Sequence, residues 1–477
     1  MIKKTKIVAT ISDQRCDVEF IRELYNNGMN VVRLNTAHQN HEQALKVINN
    51  VRAVSNKIAI LIDTKGPEIR TNEMEKDLIV KQGDLVKIKG KPHTKSTDDC
   101  IYVSYANFVN DIKIGSKILI DDGILELIAI KQERNCLICE VQNSGKIQGR
   151  KSINIPSALI KLPAITKKDM GFIRFAAEHK LDFIAHSFVR KAEDVIAVQT
   201  ILDAMESPIK IIAKIENKEG VDNLDEIINH AYGIMVARGD LAIEISAQKL
   251  PVVQREMVKK CVIARKPVIV ATQMLHTMIE NPRPTRAEVN DIANAIFEGT
   301  DAVMLSGETA YGKYPVESVQ MMNSIALEVE KSIPDFWDMK TKLISTHKAA
   351  FMVKAAVESS SEMPIKAILA DTYSGKTVLG LSAYRGKALV YGQCYFEETM
   401  RMLALSFGVY CDLIEESKNH AGFLKQALKN LLTKDNYHIR DMVAIVAGNF
   451  GKDAGASFLE IGRIDQLLKF IGEKSSL

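Results

Sequence analysis

Ile211-Ile212-Ala213-Lys214-Ile215-Glu216-Asn217-Lys218-Glu219-Gly220-Val221 is the stretch that decides the fold. Ile211, Ile212 and Ile215 are β-branched and apolar, as a strand buried on both faces requires. Lys214 and Glu216 interrupt the run two residues apart. A strand has period two, so both side chains leave the same face. A cation and a carboxylate at the end of a buried strand are costly unless something pairs or uses them. In isolation the spacing suits a structural ion pair as well as a reactive site, since both perturb titration. The neighbouring sequence favours the reactive site.

Seven other short apolar runs have the same form. They are Lys6–Ile11 (KIVATI), Val31–Asn35 (VVRLN), Ile58–Thr64 (IAILIDT), Phe183–Phe188 (FIAHSF), Gly233–Arg238 (GIMVAR), Pro267–Thr272 (PVIVAT) and Ala302–Ser306 (AVMLS). Helical patterns lie between them. One ends at Asn27 with Gly28 behind it, one spans Glu42–Ser55 and one spans Lys167–His179. Another is announced by Pro284 and by Thr285 with Glu288 three residues on, a capping box, and is stopped by Gly299. Eight strands alternating with helices predict an α/β chain folded as a (β/α)8 TIM barrel. Arg33, Asn35, Asp63, Lys214, Glu216, Asp240, Thr272 and Ser306 all fall at or just beyond strand C-termini. That rim is where such barrels build active sites.

The rhythm breaks between Gly66-Pro67 and Pro163. Short alternating runs at Leu78–Val80, Leu85–Lys89, Lys117–Ile120, Leu125–Lys131 and Leu137–Val141 are separated by turns such as Asp121-Asp122-Gly123 and Asn143-Ser144-Gly145. They predict a small antiparallel β-domain, residues 67–163, inserted into a barrel made of residues 1–66 and 164–344. A further α/β unit is expected over residues 345–477, with helix Lys348–Ser359 and strands Ala367–Ala370, Ala388–Tyr391, Val409–Leu413 and Met442–Ala447. Its loop Ser374-Gly375-Lys376-Thr377 precedes a helix. Hydroxyls, a glycine and a lysine there suit a phosphate, and they suit a polar capping turn with an exposed lysine equally.

Composition narrows the class. The chain has 477 residues, 46% hydrophobic and 26% charged, with a formal net charge of +4. Lys and Arg are scattered and form no basic block, so no nucleic acid partner is expected. No apolar run reaches the length of a membrane span, and no apolar segment follows Met1–Lys6 as a signal peptide requires. No membrane association is therefore expected. Seven dispersed cysteines, an odd number, fit a reduced, cytoplasmic protein. Cys136 and Cys139 form a C-x-x-C without a second pair or a nearby His, so a core position is favoured over a zinc site.

Several motifs then stand in order: KTKIVATI at the N-terminus, GMNVVRLN at Gly28–Asn35, DTKGPEIRT at Asp63–Thr71, IIAKIENKEGV at Ile211–Val221, GIMVARGDL at Gly233–Leu241, ATQML at Ala271–Leu275, and PTRAEVNDIANAI and MLSGETA between Pro284 and Ala310. Nearly end to end, the chain resembles the pyruvate kinase family. The resemblance implies a barrel split by a mobile β-barrel lid, a C-terminal domain for effector binding and oligomerisation, and a homotetramer. It implies transfer of the phosphoryl group of phosphoenolpyruvate to ADP, giving pyruvate and ATP. Lys214, Arg33 and Thr272 would be catalytic, and Gly239 and Asp240 would receive the substrate carboxylate. Glu216 and Asp240 would hold Mg²⁺ or Mn²⁺. Asn35, His38, Arg70 and Lys151 would bind the nucleotide, although His38 taken alone is as readily a solvated surface residue. Asn35, Asp63 and the Thr64 carbonyl would hold K⁺, and Glu68 accompanies potassium dependence in the family. Thr372, Ser374, Gly375, Lys376 and Thr377 match its phosphate loop for a sugar-phosphate or AMP effector.

The chain departs from the family pattern at four places. Thr36-Ala37 replaces the usual Phe-Ser, and Ala37 has no hydroxyl, which weakens the expected K⁺ site. Ser12-Asp13 replaces Gly-Pro, and His276 stands where Glu is common. Residues Gly448 to Gly455 differ from the usual effector loop. Two other readings are weaker. Metal-dependent barrel lyases and aldolases lack the inserted domain and the TKGPEIR stretch. A non-catalytic effector-binding protein would tolerate loss of Arg33, Lys214, Glu216 or Asp240, and all four are present.

Overall fold

The computed structural model describes residues 2–156, 158, 160–333, 348–417, 419–448 and 456–472. The expected boundary near Ser345 and positions 449–455 of the C-terminal loop lie outside them.

The chain opens with β1 (Lys6–Thr10), α1 (Val18–Asn26), β2 (Val31–Asn35), α2 (His41–Val54) and β3 (Ala59–Asp63). The insertion supplies β4 (Ile69–Arg70), β5 (Leu78–Val80), β6 (Leu85–Gly90), β7 (Ile101–Val103), α3 (Phe108–Asp111), β8 (Lys117–Ile120), β9 (Leu125–Glu133), β10 (Cys136–Val141), β11 (Gly145–Ile147) and β12 (Ser152–Asn154). The alternation resumes with α4 (Lys167–Glu178), β13 (Phe183–His186), α5 (Ala192–Ala204), β14 (Lys210–Ile215), α6 (Lys218–Asp222), α7 (Leu224–His230), β15 (Gly233–Ala237) and α8 (Arg238–Glu244). It finishes with α9 (Leu250–Ile263), β16 (Val268–Ala271), α10 (Arg286–Phe297), β17 (Ala302–Leu305), α11 (Gly307–Ala310) and α12 (Pro315–Glu330).

Eight parallel strands close into a barrel in the order β1-β17-β16-β15-β14-β13-β3-β2. Strand periodicity sends alternate residues inwards. Val31, Ala59, Leu61, Ile212, Met235 and Ile269 belong to one buried interior cluster, while Val32, Ile60, Ile211 and Ile234 pack outwards with the helices. Three inward columns turn polar at their C-terminal ends: Val31 leads to Arg33 and Asn35, Leu61 to Asp63, and Ile212 to Lys214. The expected capping box at Thr285 and Glu288 opens α10.

The inserted unit has its own apolar core, which includes Cys139. Its seven-stranded sheet runs β4-β12-β8-β9-β10-β6-β7. A bridge from Thr71 to Val103, with Ser104 N–H donating to the Arg70 carbonyl at 2.9 Å, brings the two edges together as a small barrel. One pair, β6 with β7, is parallel where antiparallel pairing was expected. Among the described residues all seven cysteines are free thiols. No cluster of three metal-ligating His, Cys, Asp or Glu side chains occurs among them, and burial pushes the Cys139 thiol up to about 12.

The C-terminal unit comprises α13 (Lys348–Glu362), β18 (Ile365–Thr372), α14 (Lys376–Ala383), β19 (Leu389–Cys394), α15 (Glu397–Met402), β20 (Val409–Leu413), α16 (His420–Leu432), β21 (Met442–Ala447), β22 (Phe458–Arg463) and α17 (Ile464–Phe470). Its sheet runs β20-β19-β18-β21-β22, with the last pair antiparallel. This unit seals the barrel floor. Leu405 joins the interior cluster of the barrel. Arg401 pairs with Asp182 at 2.7 Å and Arg385 with Asp301 at 2.7 Å.

Candidate active site

Asp63 is the hub of the barrel mouth. It ends β3 and is 1% exposed. Lys214 Nζ lies 2.9 Å from its Oδ1, and Arg33 Nε donates to its Oδ2 at 2.6 Å. Burial pushes the Asp63 carboxyl up, but Lys214 and Arg33 overcome it and hold the group below the usual carboxylate range. Lys214 also pairs with Glu216 Oε1 at 3.0 Å and donates to Ser187 Oγ at 2.7 Å. Burial lowers the lysine, yet Asp63 and Glu216 more than offset that, so it stays an ammonium. Arg33 keeps a second anchor, with Nη1 donating to Thr10 Oγ1 at 3.0 Å.

Asp240 stands across from this group on α8, one residue after Gly239. Burial, then Glu216, pushes its carboxyl up to about 7. Glu68 and Asp122 of the inserted unit push it the same way, and Asn154 of that unit donates to Glu244 of α8 at 3.4 Å, which sets the unit over the barrel mouth. Two hard carboxylates, one of them destabilised as an anion by burial and by the other's charge, form a donor set that fits a divalent cation. A cavity of about 300 Å³ separates lid and barrel here, lined among others by Glu68, Asn154, Phe188, Arg190, Asn217 and Asp240.

Thr272 follows β16 at φ +70, with Gln273 behind it at φ +55. Left-handed backbone is strained for a β-branched residue. Arg238 holds it there: its Nη2 donates to the Thr272 carbonyl at 2.6 Å and its Nη1 to Asp291 at 2.7 Å. The Thr272 hydroxyl accepts the Gly239 N–H at 2.8 Å, tying the two expected substrate contacts together.

The expected K⁺ ligands also converge, since Asn35 and Asp63 are register partners on adjacent strands. The Asn35 side-chain oxygen accepts the Ala37 N–H at 3.2 Å, and the Thr64 carbonyl accepts the Ser187 hydroxyl at 2.6 Å. The set offers only oxygen donors, as a hard monovalent cation requires, and the Ala37 side chain adds none.

The nucleotide candidates divide between two bodies. Asn35 and His38 sit on the barrel, where His38 is exposed. Arg70 and Lys151 sit on the paired lid strands β4 and β12 and their flank, 2.7 Å from Glu68 and 3.0 Å from Asp121. In the C-terminal unit the Gly375 N–H donates to Thr372 Oγ1 at 2.8 Å, and Gly375, at φ +80, leads into α14 with Ser374 and Lys376 exposed.

Sequence reasoning missed Arg238, Ser187 and Phe188. Phe188 turns at φ +55 and its N–H donates to Glu216 Oε2 at 2.6 Å, which aims that carboxylate at Lys214. The signal for Arg238 was its place just before Gly239-Asp240 at the end of an apolar run.

A parallel barrel that gathers a buried lysine, an arginine and three carboxylates at its strand ends, beside an inserted β-unit, defines a barrel enzyme with a densely charged site. The chain belongs to the pyruvate kinase family: the model of the pyruvate kinase barrel domain matches residues 2–319 and that of the pyruvate kinase alpha/beta domain matches residues 351–461. It is similar to pyruvate kinase of Borreliella burgdorferi, 49% identical over 98% of each chain. It is also similar to pyruvate kinases of Geobacillus stearothermophilus, 41% identical, and Bacillus licheniformis, 39% identical, each covering all of this chain and 83% of the relative. The family's reaction moves the phosphoryl group of phosphoenolpyruvate to ADP and uses a divalent metal and K⁺.

Proposed function

We propose that Lys214, Arg33 and Thr272 carry this reaction at the mouth of the barrel. The observation that supports it most directly is the buried Lys214 ammonium, held 2.9 Å from Asp63 and 3.0 Å from Glu216. Phosphoryl transfer depends on positioning and charge neutralisation more than on covalent help. Lys214 and Arg33 present fixed positive charge to the transferring phosphoryl group, and Lys214 also faces the enolate it leaves behind. Thr272 lies beside Gly239, placed to hold the substrate carboxylate end and to relay a proton to the enolate carbon.

Glu216 and Asp240 would hold Mg²⁺ or Mn²⁺. A divalent ion there supplies charge neutralisation for the substrate oxygens. Asn35, Asp63 and the Thr64 carbonyl would hold K⁺. Asn35 and His38 from below and Arg70 and Lys151 from the lid would bind ADP, so residues 67–163 act as a lid that excludes water as a competing acceptor.

Residues 345–477 would bind a sugar-phosphate or AMP effector at Thr372, Ser374, Gly375, Lys376 and Thr377 and contribute to a homotetramer. Phe351 on α13, 64% exposed, is an apolar side chain that such an assembly would cover. A cytoplasmic setting accords with the free thiols; among the described residues no helix is long and apolar enough to cross a membrane.

Pyruvate formation by Lys214→Met, measured with phosphoenolpyruvate, ADP and Mg²⁺, tests the central assignment. A rate loss of about 10²–10³-fold with unchanged circular dichroism is expected. Undiminished transfer would overturn it.

A further inference from the structure

Only two chain crossings join the lid to the barrel, and each meets a buried carboxylate. The outgoing crossing, Lys65-Gly66-Pro67, is held by Asp169 at the start of α4. Asp169 is 0% exposed, and its Oδ1 accepts the Lys65 N–H at 2.9 Å and the Gly66 N–H at 3.4 Å. Its Oδ2 accepts from the Thr166 hydroxyl at 2.5 Å within a capping box. Gly66, at φ +72, lies so close to the barrel that an added Cβ would meet the Ser187 Cβ at 2.7 Å.

The returning crossing is held differently. Arg190, in the loop between β13 and α5, donates Nη1 to the Ile160 carbonyl at 2.9 Å and Nη2 to the Leu162 carbonyl at 3.0 Å. The same guanidinium grips Asp194 through Nε at 3.1 Å and Nη2 at 3.2 Å, and the Arg190 N–H adds a bond to Asp194 at 2.9 Å. Asn223 fixes the Arg190 carbonyl at 3.0 Å. A planar fork with five donors meets a carboxylate and two carbonyls together, which a lysine does not.

The structure assigns Arg190 as the positioning residue that ties the lid's returning segment to the barrel and so sets how much of the time the lid covers the site. This rests on the reading that the lid carries nucleotide ligands at Arg70 and Lys151. Arg190 is in the wall of the cavity between lid and barrel, and its guanidinium is committed to Asp194 and the Ile160 and Leu162 carbonyls rather than to the Asp63 cluster. Its effect therefore falls on the substrate that needs the lid. If only a fraction of molecules holds the closed geometry, the apparent affinity for ADP drops by that fraction. The steps that use barrel groups alone are spared.

Three readouts on the intact protein with Mg²⁺ and K⁺ present separate this from a merely structural role: the KM for ADP, the KM for phosphoenolpyruvate, and exchange of the pyruvate methyl protons in D₂O followed by NMR. Arg190→Met is expected to raise the ADP KM about tenfold. The phosphoenolpyruvate KM should stay within about twofold and methyl exchange should be retained, because both draw on barrel groups. Arg190→Lys, which keeps the charge but not the fork, should fall between; it decides the matter if the Met variant does not fold. An unchanged ADP KM in Arg190→Lys and Arg190→Met overturns the assignment. So does a parallel loss in all three readouts. Lys151→Met is run alongside. If it raises the ADP KM while the Arg190 variants do not, the tether alone is wrong; if it leaves the ADP KM unchanged, the nucleotide role of the lid fails and the tether with it.

Discussion

The Arg238 guanidinium donates to the carbonyl of Thr272 at 2.6 Å while Thr272 stands at φ +70. One residue thus holds the backbone of another in a conformation that costs about 1–3 kcal/mol when unsupported. Arg238 is 7% exposed and is a positioning residue for the Thr272 hydroxyl. Arg238→Met is expected to let the turn relax and to lower kcat about 10–100-fold, with methyl-proton exchange falling in step. Unchanged exchange beside a lowered kcat would show that Thr272 does not depend on this anchor.

Ala37 gives a gain-of-function test. Its N–H already meets the Asn35 side chain at 3.2 Å, so a hydroxyl on this residue would stand beside the oxygens of Asn35, Asp63 and Thr64. Ala37→Ser should move the potassium activation curve to lower concentration by about three- to tenfold, with sodium as the comparison. Superimposable curves for the two proteins would remove Ala37 from the cation site.

His186 predicts an acid sensitivity. It is 0% exposed, neither ring nitrogen has a hydrogen-bond partner, and burial brings its pKa down from 6.5 to about 4. Asp194 and Asp169 oppose that shift, while Lys214 and Arg190 add to it. The unfolded chain therefore binds a proton at higher pH than the folded one, so stability is full above about pH 6.5 and drains as the pH falls towards 4. The loss attributable to this ring is about 2 kcal/mol by pH 5. His186→Leu should flatten the fall in unfolding free energy between pH 7 and 5 relative to the parent, read by urea titration. Parallel pH profiles would show that the ring finds a proton partner in solution.

Arg385 and Asp301 are each 3% exposed and join the C-terminal unit to the barrel floor, where Asp301 also accepts the Phe407 N–H at 2.9 Å. Removing the guanidinium leaves a buried charge without its counterion, at a cost of about 3–5 kcal/mol. Arg385→Met should lower the denaturation midpoint accordingly. The double change Arg385→Met with Asp301→Asn should recover part of the loss, and no recovery would contradict the pairing as its source.

If the loop at Thr372–Thr377 binds a phosphate, Lys376→Ala should weaken activation by sugar phosphates or AMP and leave the unactivated rate alone. Flat saturation curves for the parent protein across those compounds would remove the effector reading.

Barrel and site were readable where a local pattern encodes them. The columns Val31-Arg33-Asn35 and Ile212-Lys214 show their inward face through period two, and Thr285 with Glu288 shows a helix start through a spacing of three. What was hidden depends on partners distant in sequence. Nothing in Thr71 or Val103 announces the bridge that closes the small barrel, and the parallel pairing of β6 with β7 follows from a long connection rather than from either strand. The strand at Phe458–Arg463 has every residue partly exposed, so it lacks the alternation that marks a half-buried strand. Arg238 and Arg190 look like surface arginines until the carbonyls of Thr272, Ile160 and Leu162 are brought to them.

Leu405 completes the interior of a barrel whose first strand was made some four hundred residues earlier, and Lys6 at the start of that strand donates to the carbonyl of Val409. The barrel therefore has no finished floor until the last part of the chain has left the ribosome. During synthesis its apolar bottom is open to other nascent chains, and a protein truncated before Leu405 would keep that hole for life.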